Sequence, residues 1–219
     1  SPRTARRSAS RTAFALGLLA LYIVTDLLLR PSLIGVNRIM PWYPGAGLGI
    51  GLLAVAGFRW APTLVVARLL LYAWNDPARV LDPAWLLVRT PESITIVAAY
   101  AIAALIVRRR VVGGLGAWRL QHGAWLCGAI LIGALLAAAA FALRAIWQYH
   151  DDLSTLLRFL SLFAAGDATG SLVVLPVVLT SFGWLFRNDP GWAASDADLH
   201  APPPPGAAKG APDAAGAAG

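Results

Sequence analysis

Charge is scarce in this chain. Only 13% of its 219 residues are Asp, Glu, Lys or Arg, against about a quarter in a soluble domain. So few charges cannot cover the surface of a soluble fold. The mean hydropathy of +0.65 points the same way, and a bilayer removes the need, because lipid solvates apolar faces. Cysteine is nearly absent as well. Cys127 stands alone inside an apolar run, which excludes an intrachain disulfide and reads as packing. Histidine occurs three times. His122 and His150 fall at opposite ends of one apolar segment and His200 lies in the tail, so no shared metal site is expected. The run His150-Asp151-Asp152 reads as an exposed polar loop. Nothing pairs a nucleophile with a base, and Cys127 and Arg144 are separated by about 25 Å of helix. Neither catalysis nor a metal nor a cofactor is expected.

What is present is arginine and long apolar stretches. Lys209 is the lone lysine among 18 basic residues, and the net charge is +7. Nucleic acid is excluded as a partner by position: the arginines flank apolar runs and do not line one face. They read as topology signals and headgroup contacts. Arg3, Arg6, Arg7 and Arg11 precede the first apolar run. No small-residue cleavage site follows, so that run is expected to be an uncleaved first helix. The chain opens on Ser1 and is expected to be a processed product or a fragment.

The fold class this predicts is all-α, a polytopic transmembrane bundle of about six spans over residues 1–187. The spans are 12–29, 45–57, 61–74, 91–107, 122–147 and one within 153–186. The last is longer than a single crossing needs. Residues 81–88 are too short to cross and are placed in the outer interface. With the N-terminus inside, Arg59, Arg108, Arg109, Arg110, Arg119 and Arg187 fall inside. The outer loops keep Arg30, Arg38, Arg79 and Arg89 beside Asp76, Asp82, Asp151 and Asp152. That is the positive-inside pattern, with both termini cytoplasmic. Trp42, Tyr43, Trp60, Trp74, Trp85, Trp118, Trp147, Tyr149 and Trp184 mark span ends, where amphipathic rings prefer the headgroup level. Residues 188–219, with Pro202 to Pro205 in a row, form a Pro/Ala/Gly-rich linker or tail that cannot build a core.

Three features carry the functional candidates. Gly45, Gly47, Gly49 and Gly51 alternate after Trp42 and Pro44. No strand precedes them and no lysine follows, so a phosphate loop is not expected. Gly45/Gly49 and Gly47/Gly51 have the spacing that lets helices approach closely. Arg68 falls in the middle of the third span, where an uncompensated cation costs at least about 3 kcal/mol. It must face the interior, as a pinning ion pair or a ligand contact. Asp167 is its preferred partner, then Glu92, then Asp26. Finally, Gly166-Asp167-Ala168-Thr169-Gly170 is expected to interrupt the long last segment, with Pro176 kinking it further on. A carboxylate near such a break suits a sensing element or an interhelical hydrogen bond.

The stretch PWYPGAGLGIGLLAVAGFRWAP at 41–62, with GDATGSLVVLPVVL at 166–179, resembles the first subclass of the MASE family. These are membrane-associated sensor domains of bacterial histidine kinases and diguanylate cyclases or phosphodiesterases. The resemblance rests on Trp42, Pro44, Gly47 (or Gly45), then Gly57, Arg59 and Pro62, then Gly166, Asp167, Gly170 and Pro176. It covers about residues 12–186. It implies a sensory, signal-transducing module of the bacterial inner membrane, in two-component or cyclic-di-GMP signalling. The implied partners are the bilayer, a cytoplasmic output domain or signalling protein, and an unidentified small-molecule or lipid ligand, with a homodimer as one arrangement. Ligand or signalling residues would be drawn from Trp42, Pro44, Gly45, Gly47, Arg59, Arg68, Asp167, Gly170 and Pro176. The chain departs from the family in offering six spans where about eight are typical, and in carrying Arg68. A small-molecule transporter or substrate-capture subunit is the alternative, favoured by an open polar cavity near Arg68 and Asp167.

Overall fold

A computed structural model of the chain describes residues 2–29, 42–79, 82–111, 120–149 and 153–186. Two units divide the chain, Ser1–Leu185 and Phe186–Gly219. The first holds every described helix, and Phe186 alone is described in the second. The expected tail, Pro41, Trp118, His150, Asp151, Asp152, Arg30, Arg38, Arg119 and Arg187 lie outside the described residues.

The described residues are helical, in the order α1 (Pro2–Leu29), α2 (Pro44–Ala56), α3 (Ala61–Asn75), α4 (Pro83–Arg110), α5 (Leu120–Tyr149) and α6 (Leu153–Leu185). Proline opens several of them. Pro44, Pro62 and Pro83 each stand at the first or second helical position, where a missing N–H and a fixed φ cost nothing. Asp82 caps α4 by accepting from the Ala84 amide at 2.9 Å. Arg108, Arg109 and Arg110 close it, where positive charge suits the carbonyl end of the helix dipole.

Among the described residues, four segments are long and apolar enough to cross a membrane: Ala9–Leu29, Pro83–Arg110, Leu120–Ala142 and Leu160–Leu185. Leu16, Leu28, Val66, Leu70, Leu131, Leu135, Val173 and Val177 are exposed, as a lipid-facing belt requires. The protein is an all-α membrane protein. Of the six expected spans, these four have the length to cross, and the two that fall on α2 and α3 are shorter. α2 has 13 residues and α3 has 15, rises of only about 20 Å and 22 Å against a hydrocarbon core of about 30 Å.

α2 is short because it is interior. Pro44 through Ala54 are all buried, and the helix packs on α1, α4 and α6. Its glycines set those approaches. A Cβ on Gly47 would stand 2.9 Å from the Ser171 Cα, and one on Gly51 would stand 2.8 Å from Val178 Cγ1. Gly47 and Gly51 therefore form one seam against α6. Gly49 faces elsewhere, onto Tyr100 of α4 and Leu64 of α3, while Gly45 lies under the Tyr43 ring. The Gly45/Gly49 pair is thus not a single packing face. α2 ends at Gly57, whose φ of 95° is costly for a residue with a Cβ. A 3-10 turn, Phe58–Trp60, then leads into α3.

Other expectations are corrected. Residues 83–88 are not a separate interfacial segment: they are the first turns of α4, which runs on through Pro91. Nor does Gly166–Gly170 break α6, which is continuous over 33 residues and includes Pro176. In that continuous helix Thr169 bonds back to the Ala165 carbonyl at 2.8 Å and Thr180 to the Pro176 carbonyl at 2.8 Å. Each threonine satisfies its hydroxyl within the helix. Cys127 is exposed on α5, not packed in the core. Trp85 is buried, in contrast to the exposed Trp74 and Trp184.

Candidate functional site

Five groups inside the bundle demand compensation: Asp26 on α1, Arg68 on α3, Arg89 and Glu92 on α4, and Asp167 on α6. Arg68, Glu92 and Asp167 are buried. All but Asp167 fall toward the end of the bundle where α1 and α3 finish and α4 begins.

Tyrosine supplies the compensation. Arg68 Nη2 donates to the Tyr72 hydroxyl at 3.0 Å, and Tyr72 donates to Glu92 Oε1 at 2.9 Å. Arg89 Nη1 closes that arm on Glu92 Oε2 at 2.9 Å. The Tyr72 ring also faces both cations, 5.6 Å from the Arg68 guanidinium carbon and 4.7 Å from that of Arg89. In a second arm Arg68 Nη1 donates to the Tyr22 hydroxyl at 3.3 Å. Tyr22 and Tyr43 meet at 3.2 Å, and Tyr43 donates to Asp26 Oδ1 at 3.1 Å. A phenol has one proton to give. Tyr43 spends its proton on Asp26, so Tyr22 is the donor between them. One guanidinium thus reaches two carboxylates through chains that each run in a single direction.

Asp167 stands apart. Its Oδ2 accepts from the Tyr100 hydroxyl at 2.9 Å. The expected Arg68–Asp167 ion pair is not formed: the guanidinium is committed to Tyr22 and Tyr72, and the carboxylate to Tyr100. Arg68 Nε and Ser93 Oγ are buried without a hydrogen-bond partner, the costly condition for a polar atom in a low-dielectric interior.

Tyr43 connects this cluster to α6. Its hydroxyl belongs to the second arm, and its backbone N–H donates to the Gly166 carbonyl at 3.0 Å. Its carbonyl lies so close to Gly170 that a Cβ there would collide with it. The segments 41–62 and 166–179 therefore meet, with Pro44, Gly45 and Gly47 on one side and Gly166 and Gly170 on the other. Trp42, beside them, is exposed. Arg59 is not part of the cluster. It lies in the turn after α2, exposed, at the opposite end of α3. Pro176 is outside the cluster too, two turns beyond Gly170 on α6.

The sequence pattern marks Tyr43 only as an interface residue and gives no role to Tyr22, Tyr72 or Tyr100. Four of the 5 tyrosines of the chain hold these charged groups, Tyr22, Tyr43 and Tyr72 in the two arms and Tyr100 on Asp167. A signal existed: Tyr22, Tyr72 and Tyr100 fall within apolar runs, where each hydroxyl needs a partner. Among the described residues no group of three or more His, Cys, Asp or Glu could hold a metal. A shallow concavity lined by Thr180, Ser181, Trp184 and Leu185 at the end of α6 contains no charge. Comparison with known proteins finds no matching family model, curated protein or solved structure.

Proposed function

We propose that the chain is a sensory module of the MASE type in the bacterial inner membrane, passing a conformational bias to a cytoplasmic output domain or partner. The observation that carries this reading is the position of Tyr43. One residue joins the Arg68 cluster by its hydroxyl and α6 by its backbone. α6 is the helix from which the chain runs into residues 187–219. A change in the cluster is thereby offered to α6 through a short chain of hydrogen bonds. The meeting of the two stretches that carry the family resemblance also supports it. A stimulus acts by favouring one of two bundle arrangements, and the cluster end of the bundle is where it would be received. In this topology the N-terminus is cytoplasmic, α2 and α3 complete six crossings, and the cluster lies in the outer half.

Spin labels on the full chain test the reading. Ala13 on α1 and Trp184 on α6 are exposed, near the end where Phe14 and Phe182 are in contact at 5.7 Å. In nanodiscs, with Cys127→Ser, the label distance should change in Tyr43→Phe and in Arg68→Gln. A distance distribution identical in all three proteins would remove the coupling and with it the sensory reading. Flux of a solute through liposomes bearing the wild-type chain would favour transport instead.

A further inference from the structure

The end of the bundle opposite the tyrosine cluster carries arginine and, among the described residues, no carboxylate beside it. Arg59 lies in the turn between α2 and α3. Arg108, Arg109 and Arg110 form the last turn of α4. Arg108 reaches across to that turn, since a Cβ on Gly57 would stand 3.7 Å from its Nη1. Arg110 lies over the Trp125 ring of α5 at 4.8 Å. The described carboxylates are all elsewhere. Asp26, Glu92 and Asp167 are bound to the tyrosines. Asp76 follows α3 and Asp82 precedes α4, both at the far ends of those helices. No described acidic group pairs with Arg59, Arg108, Arg109 or Arg110.

We propose that Arg59, Arg108, Arg109 and Arg110 form a binding site for the phosphate of an anionic phospholipid, seated against the α2–α3 turn. Three observations converge on a ligand there. Arg108 Nη1 reaches the α2–α3 turn that carries Arg59, and Arg109 and Arg110 follow it in the last turn of α4. Trp60 Nε1, in the same turn, is buried with no hydrogen-bond partner, a donor of the kind that a headgroup oxygen satisfies. Gly57 at φ 95° leaves the turn without a side chain where Arg108 approaches. Guanidinium forks match phosphate oxygens in pairs, and the exposed Phe58 and Trp125 offer apolar surface to the glycerol and acyl chains. The occupant is a lipid because the site is level with the end of α4, where its apolar run Ile94–Val107 gives way to charge.

The full-length protein, purified in detergent and titrated with dioleoyl phosphatidylglycerol or dioleoyl phosphatidylcholine under native mass spectrometry, tests this. The wild-type chain should retain phosphatidylglycerol about tenfold more tightly than phosphatidylcholine. Arg59→Gln with Arg109→Gln, both at exposed positions, should abolish that preference without unfolding the bundle. Arg108→Lys should keep part of it, and Arg79→Gln, at the opposite end, should keep all of it. Equal retention of the two lipids by the wild-type chain, or an undiminished preference in the Arg59/Arg109 variant, would overturn the proposal. So would displacement of phosphatidylglycerol by equimolar glycerol phosphate, since the site would then be one for soluble phosphate.

Discussion

Tyr72 holds Arg68 by both of its parts: the hydroxyl accepts from Nη2 at 3.0 Å, and the ring lies 5.6 Å from the guanidinium carbon. These contributions can be separated. Tyr72→Phe keeps the ring and removes the hydroxyl, leaving Arg68 Nη2 and Glu92 Oε1 each short of a partner. It should destabilise the bundle by about 1–3 kcal/mol. Tyr72→Leu should cost about 0.5–2 kcal/mol more, as the cation–π contact is lost as well. Thermal unfolding in one detergent, followed by helical circular dichroism, measures both. Equal stability of Tyr72→Phe and wild type would show that the arm through Glu92 carries no energy.

Asp167 and Tyr100 should prove coupled, and Asp167 and Arg68 much less so. The first pair share a 2.9 Å hydrogen bond, while the second belong to separate bonding sets. A cycle of Asp167→Asn and Tyr100→Phe should give a coupling near 1 kcal/mol or above, with the double replacement costing less than the sum of the single ones. The matching cycle of Asp167→Asn and Arg68→Gln should come close to additive. A larger coupling in the Arg68 cycle would restore the ion pair that the side-chain geometry rules out.

The glycines divide into those that carry packing and those that do not. At Gly170 a Cβ collides with the Tyr43 carbonyl, and at Gly47 it meets the Ser171 backbone at 2.9 Å. Backbone on both sides leaves little room to yield, so Gly170→Ala should cost about 2 kcal/mol or more. At Gly128 a Cβ meets nothing within 4 Å, so Gly128→Ala should be neutral or stabilise slightly through helix propensity. Melting temperatures of the two variants beside the wild type decide the matter. A Gly170→Ala protein as stable as Gly128→Ala would mean that the Tyr43–α6 contact is loose.

Much of this architecture could be read from the chain, for identifiable reasons. Helix type and the approximate spans follow from apolar runs and from proline at helix starts. The small-residue seam at Gly47 and Gly51 follows from spacing. Arg68 announces itself because an arginine in an apolar run must have a partner. Which partner it takes was not legible, because helix order does not say how neighbours rotate about their axes. A search for an opposite charge passes over tyrosine, which can stand between charges as acceptor to one and donor to the other. The continuity of α6 through Gly166 and Gly170 was hidden for a related reason. In an isolated segment two glycines read as a break, whereas here the head of α2 fills the space they leave.

The level of the α2–α3 turn decides how these two short helices cross. Parity alone does not: six crossings, or four crossings with α2 and α3 entering and leaving by the same face, put the chain ends on the same side. Arg108 supplies the ruler. Its guanidinium lies at Gly57, so the turn stands level with the end of α4, about 24 Å of helix from Glu92. A re-entrant pair would turn back well short of that level. Single cysteines on a Cys127→Ser background at Arg59, Arg109 and Arg79, the last from the exposed segment after α3, should therefore sort into two groups. Arg59 and Arg109 should react with a membrane-impermeant maleimide only in inverted vesicles, and Arg79 only in right-side-out ones. A cysteine at position 59 that stays unreactive from both sides, while position 109 reacts, would place the turn inside the membrane and reduce the crossings to four. Reaction at 109 from the outside would reverse the orientation of the whole bundle.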